Sequence, residues 1–434
     1  MFDTKTMVKA AESAKPLLKK MIPLPLLQKG KNRIIANHLR KLSKERMPYK
    51  SGYYPLGVNL IGDIESEAGL GQSCRLTAAV LEQTGVPLNI FQYSVLGNDA
   101  GKDDSWKYKL SDALKYDINL IHINPLELGT AYCQMERSAW DYRYNIAFWL
   151  WELEEFPDKW TPYFSCLDEI WAPSEFICDA IKKKTKLPVK CMPYYVPVPV
   201  CTKCERKDFG LPDDKFLFLM MYDSHSCTER KNPFAVMQAF KKAFAKEDRR
   251  VGLVIKIGHC MQQDREKINS MMEGYTNIYL LQDRLERGMV NSLIQCVDVV
   301  VSLHRAEGFG LVLAEAMLLG TPVIATNWSA NTEFMNPQIA CMVAYQFCTI
   351  EKGLPPFPAG CRWADPDIGQ AADYMKKLCD DQMYYEKLSI KAKEYVEQRL
   401  GMERALGCMR TRLEEIRSAL EENHGYYSRP GGRS

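Results

Sequence analysis

The sequence predicts an α/β protein of two doubly wound domains that face each other across a cleft, with helices at the C-terminus. Three observations carry this prediction. At 434 residues the chain exceeds one ordinary core. From residue 56 onward, short apolar runs alternate with amphipathic helical patterns, the signature of parallel sheets. The alternation pauses in a proline-bearing stretch at 197–214, which contains Pro197, Pro199 and Pro212, and then restarts. The expected organisation is a basic arm over 1–50, a first α/β domain over 51–205, a second over 206–400, a helix over 401–425 that packs back on the first domain, and a tail over 426–434.

The arm, "SAKPLLKKMIPLPLLQKGKNRIIANHLRKLSKER", interleaves Leu, Ile and Met with Lys and Arg and is broken by Pro16, Pro23 and Pro25. Residues 1–50 carry 13 Lys and Arg against 3 Asp and Glu, while the rest of the chain has 44 basic and 51 acidic residues. Such a segment suits an anionic membrane surface, and equally a solvated extension. "LGVNLIGDIESEAGLGQSCRLTAAVLEQTG" then reads as strand, glycine-bearing loop and helix, with Leu76, Val80 and Leu81 on one helical side. "PLNIFQY", "DINLIHIN", "YNIAFWLWELE", "EIWAPS" and "VKCMPYYVPVPV" are further strand candidates, and "EFICDAIKKKT" is a helix. The second domain reads "KFLFLMMY", "NPFAVMQAFKKAFAK", "VGLVIKIG", "NIYLL", "RGMVNSLIQC", "VDVVVSL", "LVLAEAMLLG" and "TPVIATN" as strand, helix, strand, strand, helix, strand, helix, strand. Residues 366–423 carry long helical patterns.

Composition bounds the class. Hydrophobic residues are 46% and charged residues 26%, the balance of a soluble globular chain. The sequence holds no run of 18 apolar residues and no signal-peptide pattern, so a cytoplasmic location is expected, peripheral on the inner face of a membrane if the arm binds lipid. Fifteen unpatterned cysteines are expected to be reduced thiols. The lone C-x-x-C pair, Cys201 and Cys204, lacks a second pair to complete a zinc site. No nucleic-acid partner is expected.

Ligands of doubly wound sheets bind beyond the carboxyl ends of the strands, which directs attention to "HRAEGFGLVLAEAM". Glu307 falls in a loop after a strand. Gly308 and Gly310 permit close backbone approach, and the helix starting near Gly310 or Leu311 offers unpaired N–H groups to an anion. Because a carboxylate repels phosphate, Glu307 and Glu315 are better read as acceptors for hydroxyl groups on either side of a phosphate cradle. That arrangement suits a sugar nucleotide. The spacing fits equally well a surface acid at Glu307 and a dipole-favouring residue at Glu315.

"EGFGLVLAEAM" is similar to the E-x7-E motif of retaining glycosyltransferases of family 4, group 1 type enzymes of the GT-B fold with two facing Rossmann-like domains. "HRAEGFGLVLAEAMLLGTPVIATNWSANTEFM", "WLWELEEFPDKW", "DEIWAPSEFICDAI" and "ERKNPFAVMQAFKKAF" extend the resemblance over residues 56 to 423. It implies transfer of a sugar from a nucleotide-diphosphate sugar to a sugar, glycan or lipid-linked acceptor, with the anomeric configuration kept and no metal or other cofactor. Polysaccharide, lipopolysaccharide or glycoconjugate synthesis is the implied setting.

Carried onto this chain, the resemblance puts Glu307 on the donor sugar, amides of Phe309, Gly310 and Leu311 on sugar and diphosphate, and Glu315 on the ribose diol. Lys231 matches a phosphate lysine, with Arg230 beside it. Many family members have a Gly-Arg pair about six residues before that lysine, whereas this chain has Ser224 and His225 near the place. Gly69 and Gly71 resemble the loop facing the diphosphate, although Cys74 interrupts the glycine fingerprint. His122 or Asn124 at a strand end is a possible sugar-side contact, and a structural role for His122 fits as well. Ser329 and Asn331 are expected to line the cleft. Trp149 and Trp151, with Glu152, Glu154 and Glu155, suit either an acceptor platform or core and rim. Asp365 and Asp367 in "DPD" read as a helix cap in preference to a metal site. Other readings are a phosphorylase or epimerase on the same fold, a non-catalytic carbohydrate-binding or assembly subunit, and, least favoured, a nicotinamide oxidoreductase.

Overall fold

The computed structural model describes residues 24–94, 103–201 and 204–427. Residues 1–23 of the expected arm and 428–434 of the expected tail lie outside the described residues.

The first domain begins with α1 (Leu24–Glu45) and carries β1 (Val58–Gly62), α2 (Gly69–Gln83), β2 (Leu88–Gln92), β3 (Ile118–His122), α3 (Pro125–Gln134), β4 (Tyr144–Phe148), β5 (Glu169–Ala172), α4 (Glu175–Lys182) and β6 (Val189–Cys191). Its strands are all parallel, in the order β2-β1-β3-β4-β5-β6. β1, β3 and β5 are buried along their whole length, as sheets covered on both faces require. Only Val189, Lys190 and Cys191 of "VKCMPYYVPVPV" join the sheet; Pro193, Pro197 and Pro199 withhold the donors a ladder needs.

A row of buried asparagines crosses this sheet where four strands begin. Asn89 donates to Asn59 (3.4 Å), Asn59 to Asn119 (3.0 Å) and Asn119 to Asn145 (2.8 Å). Asn145 ends the row on the carbonyls of Trp140 and Arg143. These residues are register partners in the β1–β2, β1–β3 and β3–β4 ladders.

Residues 24–45, expected within a basic arm outside the folded domains, instead form a helix docked on the first domain. Leu39 and Leu42 are buried, and the missing Cβ of Gly129 on α3 makes room for Ile35. His38 Nε2 lies 2.8 Å from the Tyr132 carbonyl, and Arg46 forks onto Asp168 at 2.9 and 2.7 Å. Ile35, Leu39 and Leu42 are thus spent on core contacts.

The second domain carries β7 (Phe216–Asp223), α5 (Thr228–Lys231), α6 (Pro233–Ala243), β8 (Val251–Gly258), α7 (Gln262–Met272), β9 (Ile278–Leu281), α8 (Arg287–Cys296), β10 (Val299–Ser302), α9 (Leu311–Leu318), β11 (Val323–Thr326) and β12 (Cys341–Val343). Its sheet is again parallel, in the order β12-β11-β10-β7-β8-β9. An antiparallel hairpin, β13 (Tyr345–Thr349) and β14 (Arg362–Pro366), follows without having been expected. Helices α10 (Ile368–Asp380), α11 (Gln382–Leu400) and α12 (Met402–Tyr427) close the chain.

α12 returns to the first domain and packs on α2. There Arg412 forks onto the fully buried Glu169, with both nitrogen–oxygen distances 2.7 Å. Trp171 Nε1 and the Tyr144 hydroxyl donate to the same carboxylate. One apolar cluster runs from Leu60, Leu120 and Phe148 of the first sheet through Tyr194 and Phe309 to Leu313 and Val396 of the second half.

Candidate functional site

The loops at the carboxyl ends of the two sheets meet around residues 304–310. The sharp turn at Gly310 (φ 94°) caps α9, whose first turn receives no side-chain acceptor. Of the first-turn amides, that of Leu313 bonds the Gly310 carbonyl at 3.0 Å, while those of Leu311 and Val312 precede any intrahelical acceptor, so the start of α9 retains a capacity for an anion. Gly308 serves a different contact from the one expected. A Cβ there would lie 2.7 Å from the carbonyl oxygen of Trp151, and the Gly308 carbonyl accepts a bond from Ser174 Oγ (2.9 Å), so the close approach is between the two domains.

Glu307 is buried at this junction and accepts from Lys231 Nζ at 2.5 Å, with Arg230 Nη1 at 3.4 Å. Burial opposes its ionisation, but Lys231, Arg230 and His304 outweigh that and hold its carboxyl at about 2. The Glu307 amide donates to Ser329 Oγ (2.8 Å), and Ser329 adopts a left-handed backbone (φ 75°) to present it. Asn331, expected to line the cleft, is fully buried: its Nδ2 donates to the Thr326 carbonyl (3.0 Å) and its Oδ1 lies 3.1 Å from His304 Nε2. Burial keeps His304 below its ordinary range. Asn331 and His304 therefore brace the loop from behind.

Arg230 was expected as a second phosphate cation. It is instead 3% exposed and committed to the carbonyls of Ala306 (2.9 Å) and Ser226 (3.0 Å), with Glu152 at 3.7 Å across the domain boundary. A guanidinium so enclosed ties loops together and does not reach a solute. Lys231, with 22% of its side chain exposed, is the cation at this junction that meets solvent.

Glu315 is fully buried, and its carboxylate meets the guanidinium of Arg287, the first residue of α8. A diol reaching Glu315 would have to displace Arg287. On the facing domain, Gly71 is needed by its own loop, since a Cβ would collide with the Ser66 carbonyl oxygen; Gly69 lies in open space. His122 is sealed in the core, stacked on Phe148 with its Nε2 2.9 Å from Ser73 Oγ, and burial pushes it down to about 4. Ser73 in turn bonds the Tyr194 hydroxyl, whose ring packs on Phe309 at 4.9 Å. Asn124 accepts from the Leu150 amide (3.0 Å), joining the ends of β3 and β4.

The other candidates divide cleanly. Trp149 and Trp151 are core, and Trp151 Nε1 donates to the Glu155 carbonyl. Glu154 pairs with Arg362 of the hairpin at 2.8 Å, and Glu155 lies 3.5 Å from Lys183. Asp367 caps α10 by accepting from the Gln370 amide (3.0 Å), and Asp365 pairs with Arg305 (2.8 Å). Residues that sequence reasoning missed are Asp223 at the end of β7 and His259 just after β8, which stand beside His225. The available signal was their position at carboxyl ends of adjacent parallel strands.

With this geometry, comparisons with known proteins become informative. Residues 202–395 match the family described as glycosyl transferases group 1. No curated protein sequence matches the chain. Among solved structures, sucrose-phosphate synthase from Thermosynechococcus elongatus superposes with a TM-score of 0.60 at 15% identity, covering 86% of this chain and 100% of that one. HepE of Anabaena, solved with UDP and glucose, gives 0.58 at 13% identity, covering 83% and 100%. The α,α-trehalose 6-phosphate synthase of Burkholderia multivorans gives 0.56 at 13% identity, covering 88% and 100%. The chain therefore has the GT-B fold, and its residues 202–395 are similar to the group 1 glycosyl transferases.

Proposed function

We propose that this glycosyltransferase moves a sugar from a nucleotide-diphosphate sugar to a hydroxyl of a sugar, glycan or lipid-linked acceptor, with retention and without a metal ion in the transfer step. The observation that carries the reading is the Lys231–Glu307 pair, set beside the start of α9, which no side chain caps, at the carboxyl ends of the second sheet. Lys231 and the α9 amides neutralise the leaving diphosphate, while Glu307 orients hydroxyls of the donor sugar. The bond from the anomeric carbon to phosphate oxygen breaks, and the acceptor oxygen bonds that carbon from the same face. The acceptor proton passes to the departing phosphate. A carboxyl held at about 2 is a poor proton acceptor at neutral pH, which supports assigning Glu307 to positioning. Arg230 acts through Glu307 and the Ala306 carbonyl, and Glu315 engages the ribose once Arg287 has swung aside. HepE, solved with UDP and glucose, favours a uridine donor for the first trial.

The test is a thermal-shift panel of uridine and guanosine diphosphates and their sugars, followed by product analysis with labelled donor. Glycoside plus nucleoside diphosphate is expected. Glu307→Gln and Lys231→Ala are each expected to lose on the order of a hundredfold in turnover with unchanged circular dichroism. Transfer near the wild-type rate by both variants would sink the assignment. We further propose that the basic N-terminal segment brings the enzyme to an anionic membrane face from the cytoplasmic side. Among the described residues, no helix is long and apolar enough to cross a membrane.

A further inference from the structure

One step beyond the sugar-transfer site, Asp223, His225 and His259 converge at the same end of the second sheet. Asp223 is the last residue of β7 and is in register with Gly258, the last residue of β8. His259 follows directly, and His225 lies in the short turn 224–226 after β7. The arrangement brings one carboxylate oxygen and two imidazole nitrogens within 4.8 Å of one another. Among the described residues, this is the one group of three side chains with that geometry.

Local structure is shaped around the cluster. Asp223 Oδ2 lies 2.7 Å from His259 Nδ1, and Asp223 Oδ1 accepts the His225 amide at 2.8 Å, which fixes the carboxylate plane. The two imidazoles stack at 4.6 Å between centroids and 12° between planes. His259 holds a left-handed backbone (φ 44°), a conformation that β8 would not otherwise lead into and that turns its ring toward Asp223. Gly258 leaves the space: a Cβ there would sit 3.2 Å from Asp223 Oδ2.

We propose that Asp223, His225 and His259 bind a divalent cation of the zinc class. Two neutral imidazoles and a carboxylate are the donors such borderline ions prefer, whereas calcium and magnesium take mostly oxygen. Asp223 and His259 meet at a hydrogen-bond distance of 2.7 Å, and the pair opens to about 3.3 Å, the spacing of two neighbouring ligands on a tetrahedral ion with bonds near 2 Å, when the ion enters. The ion takes the place of the proton shared by these two groups, and the exposure of both histidines leaves its fourth position to water. Bound there, it joins the ends of β7 and β8 at the root of the segment that leads to Lys231. Arg230 grips that segment further along, through the Ser226 carbonyl at 3.0 Å. The C-x-x-C pair is the competing source: Cys204 Sγ already contacts Met289 Sδ at 3.1 Å. The inference holds independently of the transferase reading.

The experiment uses the full chain stripped with a chelator and titrated calorimetrically with Zn²⁺, and separately with Co²⁺ under visible absorption. The wild type is expected to take up one equivalent of Zn²⁺ and to melt at a higher temperature with it. His225→Gln and His259→Gln are each expected to bind at least about tenfold more weakly and to lose the thermal shift. Cys201→Ser/Cys204→Ser is expected to bind as the wild type does. Metal-free melting checks that each variant folds, and Asp223→Asn replaces any that does not. The proposal is overturned by absence of saturable binding in the wild type, by binding kept in both histidine variants, or by loss of binding in the cysteine variant. A thiolate-to-cobalt charge-transfer band would overturn it as well.

Discussion

Two opposing influences act on Glu307: burial favours its neutral form, and the cations Lys231 and Arg230 favour its charged one. The cations prevail and set its folded value at about 2 against an ordinary 4.5. A carboxyl depressed in the fold contributes stability that is present above the unfolded value and lost as pH falls through the folded one. The stability advantage of wild type over Glu307→Gln is therefore expected to be full above about pH 5, to shrink below 4.5 and to vanish near 2. Urea melts of both proteins at stepped pH read this difference; an advantage that does not change between pH 5 and about 2.5 would contradict the pairing. The same pair explains why sequence reasoning assigned Lys231 and Glu307 to one site. Glu307 was legible as an acid in a glycine loop after a strand, whereas Lys231 was reached through the family resemblance, since a cation before a helix reads equally as a solvated residue. Arg230 was misjudged because whether a guanidinium meets solvent or four carbonyl and carboxylate oxygens depends on which loops fold over it.

At the scale of elements, the return of α12 to the first domain rests on one polar junction. Glu169 has no exposure and is satisfied by Arg412, Trp171 and Tyr144 together. Removing Arg412, the cation paired with it, leaves an uncompensated buried charge, at a cost of about 3–5 kcal/mol. Arg412→Met is accordingly expected to lower stability by about that amount in denaturant titrations. The double variant Arg412→Met/Glu169→Gln is expected to recover a large part of it. The alternation of strands and helices was legible because buried parallel strands are apolar throughout and the helices between them are amphipathic. The β13–β14 hairpin was not legible, since β13 is mostly exposed and mimics loop composition, and the burial of Trp363 and Ala364 in β14 depends on contacts far away in the chain. Gly308 was legible as a place of close approach, but what approaches it is the Trp151 carbonyl from more than a hundred residues away.

Across the whole molecule, the two domains are clasped at several points besides α12. Glu333 caps the start of α4 from the opposite domain, accepting from the amides of Glu175 (3.1 Å) and Phe176 (2.8 Å). Arg284 pairs with Glu67, and Arg362 with Glu154. The N-terminal segment, by contrast, is built into the first domain alone among the described contacts. Deleting residues 1–47 removes Leu39, Leu42 and the Arg46–Asp168 fork, and is expected to lower the melting temperature by several degrees, about 3 kcal/mol or more. Deleting residues 1–23 spares those contacts, so it is the variant that tests liposome binding. Equal binding by the full chain and the shorter deletion would retire the membrane proposal.

The asparagine row across the first sheet has a consequence for how the strands find their alignment. Side chains in a strand repeat their facing every two residues, so a slip of one residue turns the apolar set outward and is rejected by the hydrophobic effect. A slip of two keeps every face correct, and apolar patterning alone is blind to it. In this sheet such a slip separates Asn59 from Asn119 and Asn119 from Asn145, leaving buried amides opposite aliphatic side chains at a cost of about 1–3 kcal/mol for each orphaned group. The row thus acts as a vernier, rejecting the even-numbered misalignments that four uniformly greasy parallel strands would otherwise tolerate.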